Sequence, residues 1–237
     1  MFVTKYFSEN NAQISFSRQQ ASHFAKHIAN DFNPIHDEDA QRFCVPGDLL
    51  FSTVLYKQGL SQKMRFEFSG MVTEDVSLNL PENPLPLMTI TGNNGKEYLT
   101  VARDGDITHD KHIIENLVRQ YVAFSGQTFP HILVPLMQSN QVMINPDRPF
   151  VVYESMEIDF DHLNFTELKL QMLSAEMEVI GKRGNASLKF GLIGDGKQVG
   201  TGTKNMVLSG LRPYEQDKIE ELIDFYNTKK QSHNNHP

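Results

Sequence analysis

The 237-residue chain has one cysteine and no tryptophan. A single thiol, Cys44, excludes an internal disulfide and points to a reducing compartment, so a cytoplasmic location is expected. No stretch approaches the roughly 18 consecutive apolar residues of a membrane span, which excludes membrane insertion by a helix. The start, Met1 to Asn11, lacks the uninterrupted apolar core of a secretory leader. Basic charge is also scarce, with 22 Lys and Arg against 29 Asp and Glu and a net charge of −7. Without a concentrated basic patch, a nucleic-acid surface is excluded.

What is present is organised punctuation. Ser17 to Ile28 reads as a helix: Ser17 and Gln20 form a capping-box pair, and Ala21, Phe24, Ala25 and Ile28 share one face. His23 and His27, one turn apart, have the spacing of a metal pair, but they point off the apolar stripe and read as a solvated face. Gly47 to Gln58 is apolar nearly all round, as suits a helix in the middle of a domain, with Pro46 and Gly59 at its ends. Strand-like runs follow at 64–72, 74–82, 86–91 and 97–105, with a hairpin turn at 91–97.

The same order then restarts. Ile113 to Val122 is an amphipathic helix, followed by a second Pro-containing turn, a helix from Val134 matched to that of Gly47 to Gln58, and further strands. Residues 64–80 overlay 156–172 at an offset of 92, with Met64/Met156, Phe68/Phe160 and Leu78/Leu170 identical. Val45 overlays Val134, and Pro34 overlays Pro130. The consistent order of these overlays indicates an internal duplication. The expected units are 1–108, 109–212 and a C-terminal segment 213–237. In that segment Ile219, Leu222, Ile223 and Tyr226 line one face of a helix. The last stretch, from Lys229 with His233 and His236, is expected to be a mobile solvated tail.

One segment carries chemistry: "NDFNPIHDEDA", beginning at Asn30. Asp31 and His36 stand five residues apart, with Asn33-Pro34 forcing a turn between them. Asn-Pro also ends helices, and "HDEDA" is an ordinary acidic helix start. The duplication tips the balance: the second unit has Gln127, Ile132 and Leu136 where the first has Asp31, His36 and Gly47, while the prolines persist. One chemically equipped half beside one blank half is what an asymmetric pseudo-dimer shows.

The segment resembles the signature of the MaoC-like (R)-specific enoyl-CoA hydratases, through Asp31, Asn33, Pro34, Ile35, His36 and Ala40. Gly47 stands where that family begins its buried helix. The resemblance implies an α+β double hot-dog, two antiparallel sheets each wrapped around a buried helix, acting on an acyl-CoA or acyl-carrier thioester. It further implies Asp31 as general base on water, His36 orienting that water and relaying its proton, Asn33 as a brace, and the Gly47 amide polarising the thioester carbonyl. No metal or redox cofactor is implied. Asn30 departs from the family's glycine and Pro46 from its histidine, and the link from His36 to Gly47 is short. "TFPHILVP", from Thr128, faintly resembles the loop of hot-dog dehydratases but has Thr128 in place of their histidine.

A thioesterase on the same fold, a non-catalytic acyl-thioester or lipid binder, and an interaction module are the alternatives. Lys63, Arg65, Lys182 and Arg183 are candidates for carrier phosphate by charge alone. Cys44 has no identifiable base and reads as a small buried residue. The assembly is expected to be a monomeric pseudo-dimer or a homodimer.

Overall fold

The computed structural model describes residues 1–234. A short hairpin of β1 (Ser8–Asn10) and β2 (Gln13–Ser15) leads to α1 (Arg18–His23), which continues as a π-helical turn, Phe24–Ala29. Ser17 caps α1 as the sequence predicts: its hydroxyl accepts from Gln20 N while the Gln20 side chain accepts from Ser17 N. A 3-10 turn at Pro34–His36 precedes α2 (Gly47–Gln58), then β3 (Leu60–Phe68), β4 (Leu78–Asn79), β5 (Leu87–Gly92) and β6 (Glu97–Thr108). The second run has α3 (Lys111–Gly126), α4 (Thr128–His131) and α5 (Leu133–Ser139). Strands β7 (Val142–Met143), β8 (Val151–Phe160), β9 (Leu168–Ile180), β10 (Arg183–Gly194), β11 (Lys197–Ser209) and β12 (Arg212–Pro213) follow, and α6 (Gln216–Asn234) closes the described chain.

Ten strands form one sheet in the order β1-β2-β4-β5-β6-β3-β8-β11-β10-β9, while β7 and β12 pair separately. Within the ten-stranded sheet, the first strand of each half after its helices lies beside the last strand that half contributes to the sheet: β3 beside β6, β8 beside β11. The halves meet where β3 pairs antiparallel with β8, with Met64 opposite Ile158, Arg65 opposite Glu157 and Phe66 opposite Met156. Residues 64 and 66 thus face the counterparts of 66 and 64 at the offset of 92. Arg65 and Glu157 stand on the pseudo-twofold axis itself, and their side chains are ion-paired. Two antiparallel strand runs over helices, joined edge to edge, make this a double hot-dog of the α+β class.

Nine of the twelve residues of α2 are buried, which explains why its sequence has no polar stripe. The larger core cluster joins α2 to Phe66 and Val101 of the first half. It also takes in Leu117, Tyr121, Met156, Phe160 and Phe190 from beyond residue 108. A smaller cluster gathers Leu133, Met137, Leu188, Leu208 and Ile219.

Three expectations are corrected. The helix from Val134 is short: α5 ends at Ser139 and buries only Leu133 and Met137, because Ser139, Asn140 and Gln141 are polar and Gln141 turns to a φ of 56°. Of the run at 74–82, only Leu78–Asn79 is strand. The stretch from Lys229 is helical as far as Asn234, because Lys229 is ion-paired to Asp37 and the His233 ring packs on His27 and Phe32. His236 lies outside the described residues. Among the described residues, no helix is long and apolar enough to cross a membrane.

Candidate active site

The turn bearing Asp31 is shaped by its backbone. The π-helical turn ends at Asn30, which is left-handed (φ 53°, ψ 34°). Asparagine tolerates this region better than other side chains, so Asn30 keeps the conformation that a glycine at this place would supply. Asp31 N then donates to Ala25 O at 2.8 Å. Asn33 N donates to Asp31 Oδ1 at 2.9 Å, and the Asn33 side-chain oxygen accepts from Ile35 N at 3.2 Å. Asn33 therefore braces the carboxylate with its backbone and the loop with its side chain.

The 3-10 turn brings His36 back toward Asp31: His36 Nε2 lies 3.8 Å from Asp31 Oδ2. His36 Nδ1 is 2.6 Å from Cys44 O. A carbonyl only accepts, so Nδ1 carries the ring proton and the neutral ring presents Nε2 as an acceptor. Both side chains are mostly enclosed, at 13% exposure for His36 and 28% for Asp31. Two acceptors facing each other across a gap slightly too long for a direct bond are arranged to take both hydrogens of one water.

Gly47 opens α2, whose N-cap, Pro46, offers no side-chain bond; the Pro46 carbonyl accepts from Leu49 N at 3.0 Å and Leu50 N at 3.3 Å, which leaves the Gly47 and Asp48 N–H groups without a partner from the cap. A Cβ at Gly47 would lie 2.7 Å from Tyr153 Cδ1. The ring of Tyr153 thus covers the start of α2 and requires a glycine there for packing alone.

Sequence reading missed what lies next to Gly47. Asp48 is buried, and its Oδ1 has no hydrogen-bond partner among the described residues. Ser125 of α3 hydrogen-bonds the Asp48 carboxyl and accepts from Lys204 Nζ of β11. Lys204 is itself buried, with Nζ 4.3 Å from the centre of the Tyr153 ring. The hydroxyls of Tyr121 and Tyr153 touch. Burial pushes the Asp48 carboxyl up, with Lys204 and Ser125 pulling against it; Asp31 adds to the rise and His36 opposes it. Burial likewise pushes the Lys204 ammonium down, against the pull of Asp48 and Asp31.

The other candidates fall away from this cluster. Burial pushes the Cys44 thiol up to about 12, which removes it as a nucleophile at neutral pH. His23 and His27 are exposed, with ring centres 3.9 Å apart in a tilted pair, and His27 meets His233 edge-on at 4.2 Å. Among the described residues no group of three or more His, Cys, Asp or Glu is placed to hold a metal ion. Lys63, Arg65 and Arg183 are paired with Asp159, Glu157 and Glu154, and Lys182 is exposed. Gln127, Ile132 and Leu136 sit around α4 and α5, where the second half has neither acid nor imidazole at these positions. An apolar gap of about 10 Å³ lies against α2, lined in part by Phe16, Leu50, Leu78 and Leu99. A cleft of about 360 Å³ between Pro146, Arg212 and the start of α6 involves none of the predicted site residues.

Residues 1–217 match a family model described as "Protein of unknown function (DUF3581)". The chain belongs to that family. No curated protein matches it. Among solved structures it is similar to a hot-dog protein of unknown function from Alicyclobacillus acidocaldarius, at 9% identity and TM-score 0.46, covering 88% of this chain and 98% of that one. It is also similar to an acyl-CoA thioesterase II from Mycobacterium marinum, at 9% identity and TM-score 0.42, covering 90% and 98%. A MaoC-like dehydratase matches at 9% identity and TM-score 0.40, covering 85% and 97%. The family match ends in the first turn of α6. The later residues of α6 reach the Asp31 turn: the Tyr226 hydroxyl donates to Asn30 O at 3.2 Å, and Lys229 is ion-paired to Asp37.

Proposed function

We propose that the chain adds water to a 2-enoyl thioester of coenzyme A or an acyl carrier, or runs the reverse dehydration. The observation that carries this reading is the pair of acceptors, Asp31 Oδ2 and His36 Nε2, 3.8 Å apart, with His36 fixed by its Nδ1–H bond to Cys44 O. A water donating to both keeps a lone pair for C3 of the enoyl group. As its oxygen bonds C3, one proton passes to Asp31, and the C2–C3 π pair moves to the thioester as an enolate. The proton then goes to C2, so the water is added whole and the base is regenerated. The enolate oxygen is read as lying at the first turn of α2, where free amide N–H groups and the helix dipole favour negative charge. Gly47 is the donor assigned there.

The test is a panel of 2-enoyl thioesters, followed by loss of enoyl absorbance and, in parallel, by release of free thiol. The expected result is hydration without thiol release, falling by about 10²–10⁴-fold in Asp31→Asn and in His36→Ala. Thiol release without hydration would make the protein a thioesterase. Full hydration activity in Asp31→Asn would overturn the assignment of the base.

A further inference from the structure

The two ends of the ten-stranded sheet are finished differently. In the first half β4 is covered on its outer side by β2, with Gln13 opposite Asn79 and Ile14 opposite Leu78, and β1 lies beyond β2. The offset of 92 carries Leu78 and Asn79 to Leu170 and Gln171, so β9 is the counterpart of β4. β9 pairs with β10 on one side and, among the described residues, with no strand on the other. Where β4 has 2 residues, β9 has 13, and its outer side is an open ladder of N–H and C=O groups. Asn116 of α3 takes the first rung, its side-chain oxygen accepting from Leu168 N at 3.0 Å.

Side-chain exposure follows the missing cover. Leu78, paired to β2, is 5% exposed, whereas its counterpart Leu170 is half-buried. Met172, Ala175 and Val179 are half-buried against the smaller core cluster. On the other face Leu173 and Ile180 are exposed. The charges of β9 lie toward its ends: Lys169 at one, Glu176 and Glu178 at the other, all exposed. The bulge at Leu173, which lies between the pairings of Met172 with Phe190 and of Ser174 with Lys189, shifts the alternation by one residue. It thereby puts Lys169 on the same face as the two glutamates.

We propose that the outer edge of β9 is the interface with a second copy of this chain, joined β9 to β9 in antiparallel sense across a twofold axis. A register centred between Leu173 and Ser174 sets Lys169 of each copy opposite Glu178 of the other, with Glu176 nearby; a parallel contact would bring the glutamates together. Opposite charges facing across antiparallel strands stabilise the pairing, and like charges oppose it. The second copy gives β9 the neighbour that β2 gives β4, covers Leu170 and Met172, and makes one sheet of two. Such a contact closes on itself and uses up the edge in both copies, so assembly stops at the dimer. The far end of the sheet is a poorer partner, since β1 has only 3 residues. The interface is independent of the reading of Asp31 and His36.

Sedimentation equilibrium of the full chain is the test. The unmodified protein is expected to dimerise. Lys169→Glu, and separately Glu176→Lys/Glu178→Lys, should weaken the dimer about tenfold or more, because attraction becomes repulsion on both sides of the axis. The triple variant Lys169→Glu/Glu176→Lys/Glu178→Lys should restore it, and that recovery excludes misfolding as the cause of the losses. A short bis-maleimide should join two Ser174→Cys chains, near the axis, but not two Lys197→Cys chains, at the turn between β10 and β11. A protein that stays monomeric overturns the proposal. So does a dimer that none of the charge variants weakens, one that Ser174→Cys fails to link, or growth into open-ended chains.

Discussion

A Cβ added to Gly126 would lie 1.6 Å from the carbonyl oxygen of Ala29, so α3 meets the turn before Asp31 backbone to backbone. The contact comes from the opposite half of the molecule and leaves no room for any side chain. Gly126→Ala is expected to destabilise the fold by about 2 kcal/mol or more, as overpacking in a closed contact does. It should also displace the Asp31 turn. Urea denaturation reads the first effect, and the amide resonance of Asp31, hydrogen-bonded to Ala25 O, reads the second.

Asn30 offers the complementary test. Its left-handed backbone costs a residue with an ordinary Cβ about 1 kcal/mol and glycine nothing. Asn30→Ala should therefore lower stability by about 1 kcal/mol, while Asn30→Gly should stay within about 0.5 kcal/mol of the unmodified protein. Equal losses in both variants would show that the asparagine side chain, rather than the backbone angle, is what matters.

Asp37 ties α6 to the site loop and gives the fold an acid-sensitive point. Burial alone would raise its carboxyl, but the Lys229 and Lys26 ammoniums outweigh it and hold the carboxyl below its ordinary value. A lowered carboxyl contributes stability above its unfolded value, about 3.9, and loses it as pH falls toward the folded one. Stability should thus decline below about pH 4. Lys229→Met should cost about 1 kcal/mol at neutral pH, the partners being partly solvated, and make the acid decline shallower. Denaturation midpoints at neutral and acid pH check both.

At the alkaline end the sign reverses. Burial pushes the phenols of Tyr121 and Tyr153 well above 10, with Asp48 adding to the rise in Tyr121 and Tyr121 adding to it in Tyr153. Burial, with Asp31 adding, takes Tyr226 to about 12. A raised phenol contributes stability fully below its unfolded value near 10 and loses it as pH climbs toward the folded value. Tyrosinate absorbance should therefore fall short of the seven tyrosines of the chain while the fold persists. The missing fraction should appear in one step with alkaline unfolding. A smooth titration of all seven in the folded protein would contradict the burial of this cluster.

Local signals were the readable ones. Ser17 and Gln20 cap α1 through a four-residue pattern that needs no distant partner, and the apolar girdle of α2 follows from residues 47–58 alone. The offset of 92 reappears in the pairing of Arg65 with Glu157 because a duplicated strand meets its twin in symmetric register. The turn at Asn33-Pro34 places Asp31 and His36 within 3.8 Å because the bend is encoded between them. Asp48 and Lys204 gave no such signal. Each is a single charged residue in an otherwise ordinary helix or strand, and they meet through Ser125 only after β11, α3 and α2 have packed. The π-helical turn was equally silent, since its residues satisfy the α-helical pattern and only the close approach of Gly126 distinguishes them. The early end of α5 depends on three polar residues that the overlay with α2 masked.

The placement of Arg65 and Glu157 bears on why the two halves share one polypeptide. In a dimer of identical subunits, a residue on the symmetry axis must confront its own copy, and a charge there would repel itself. Tethering the repeats frees that position to hold a cation on one side and an anion on the other. Once such a pair forms, neither half can be exchanged for a duplicate of its sister without setting like charge against like. The linkage thus favours correct pairing of the unequal halves over pairing of either with itself.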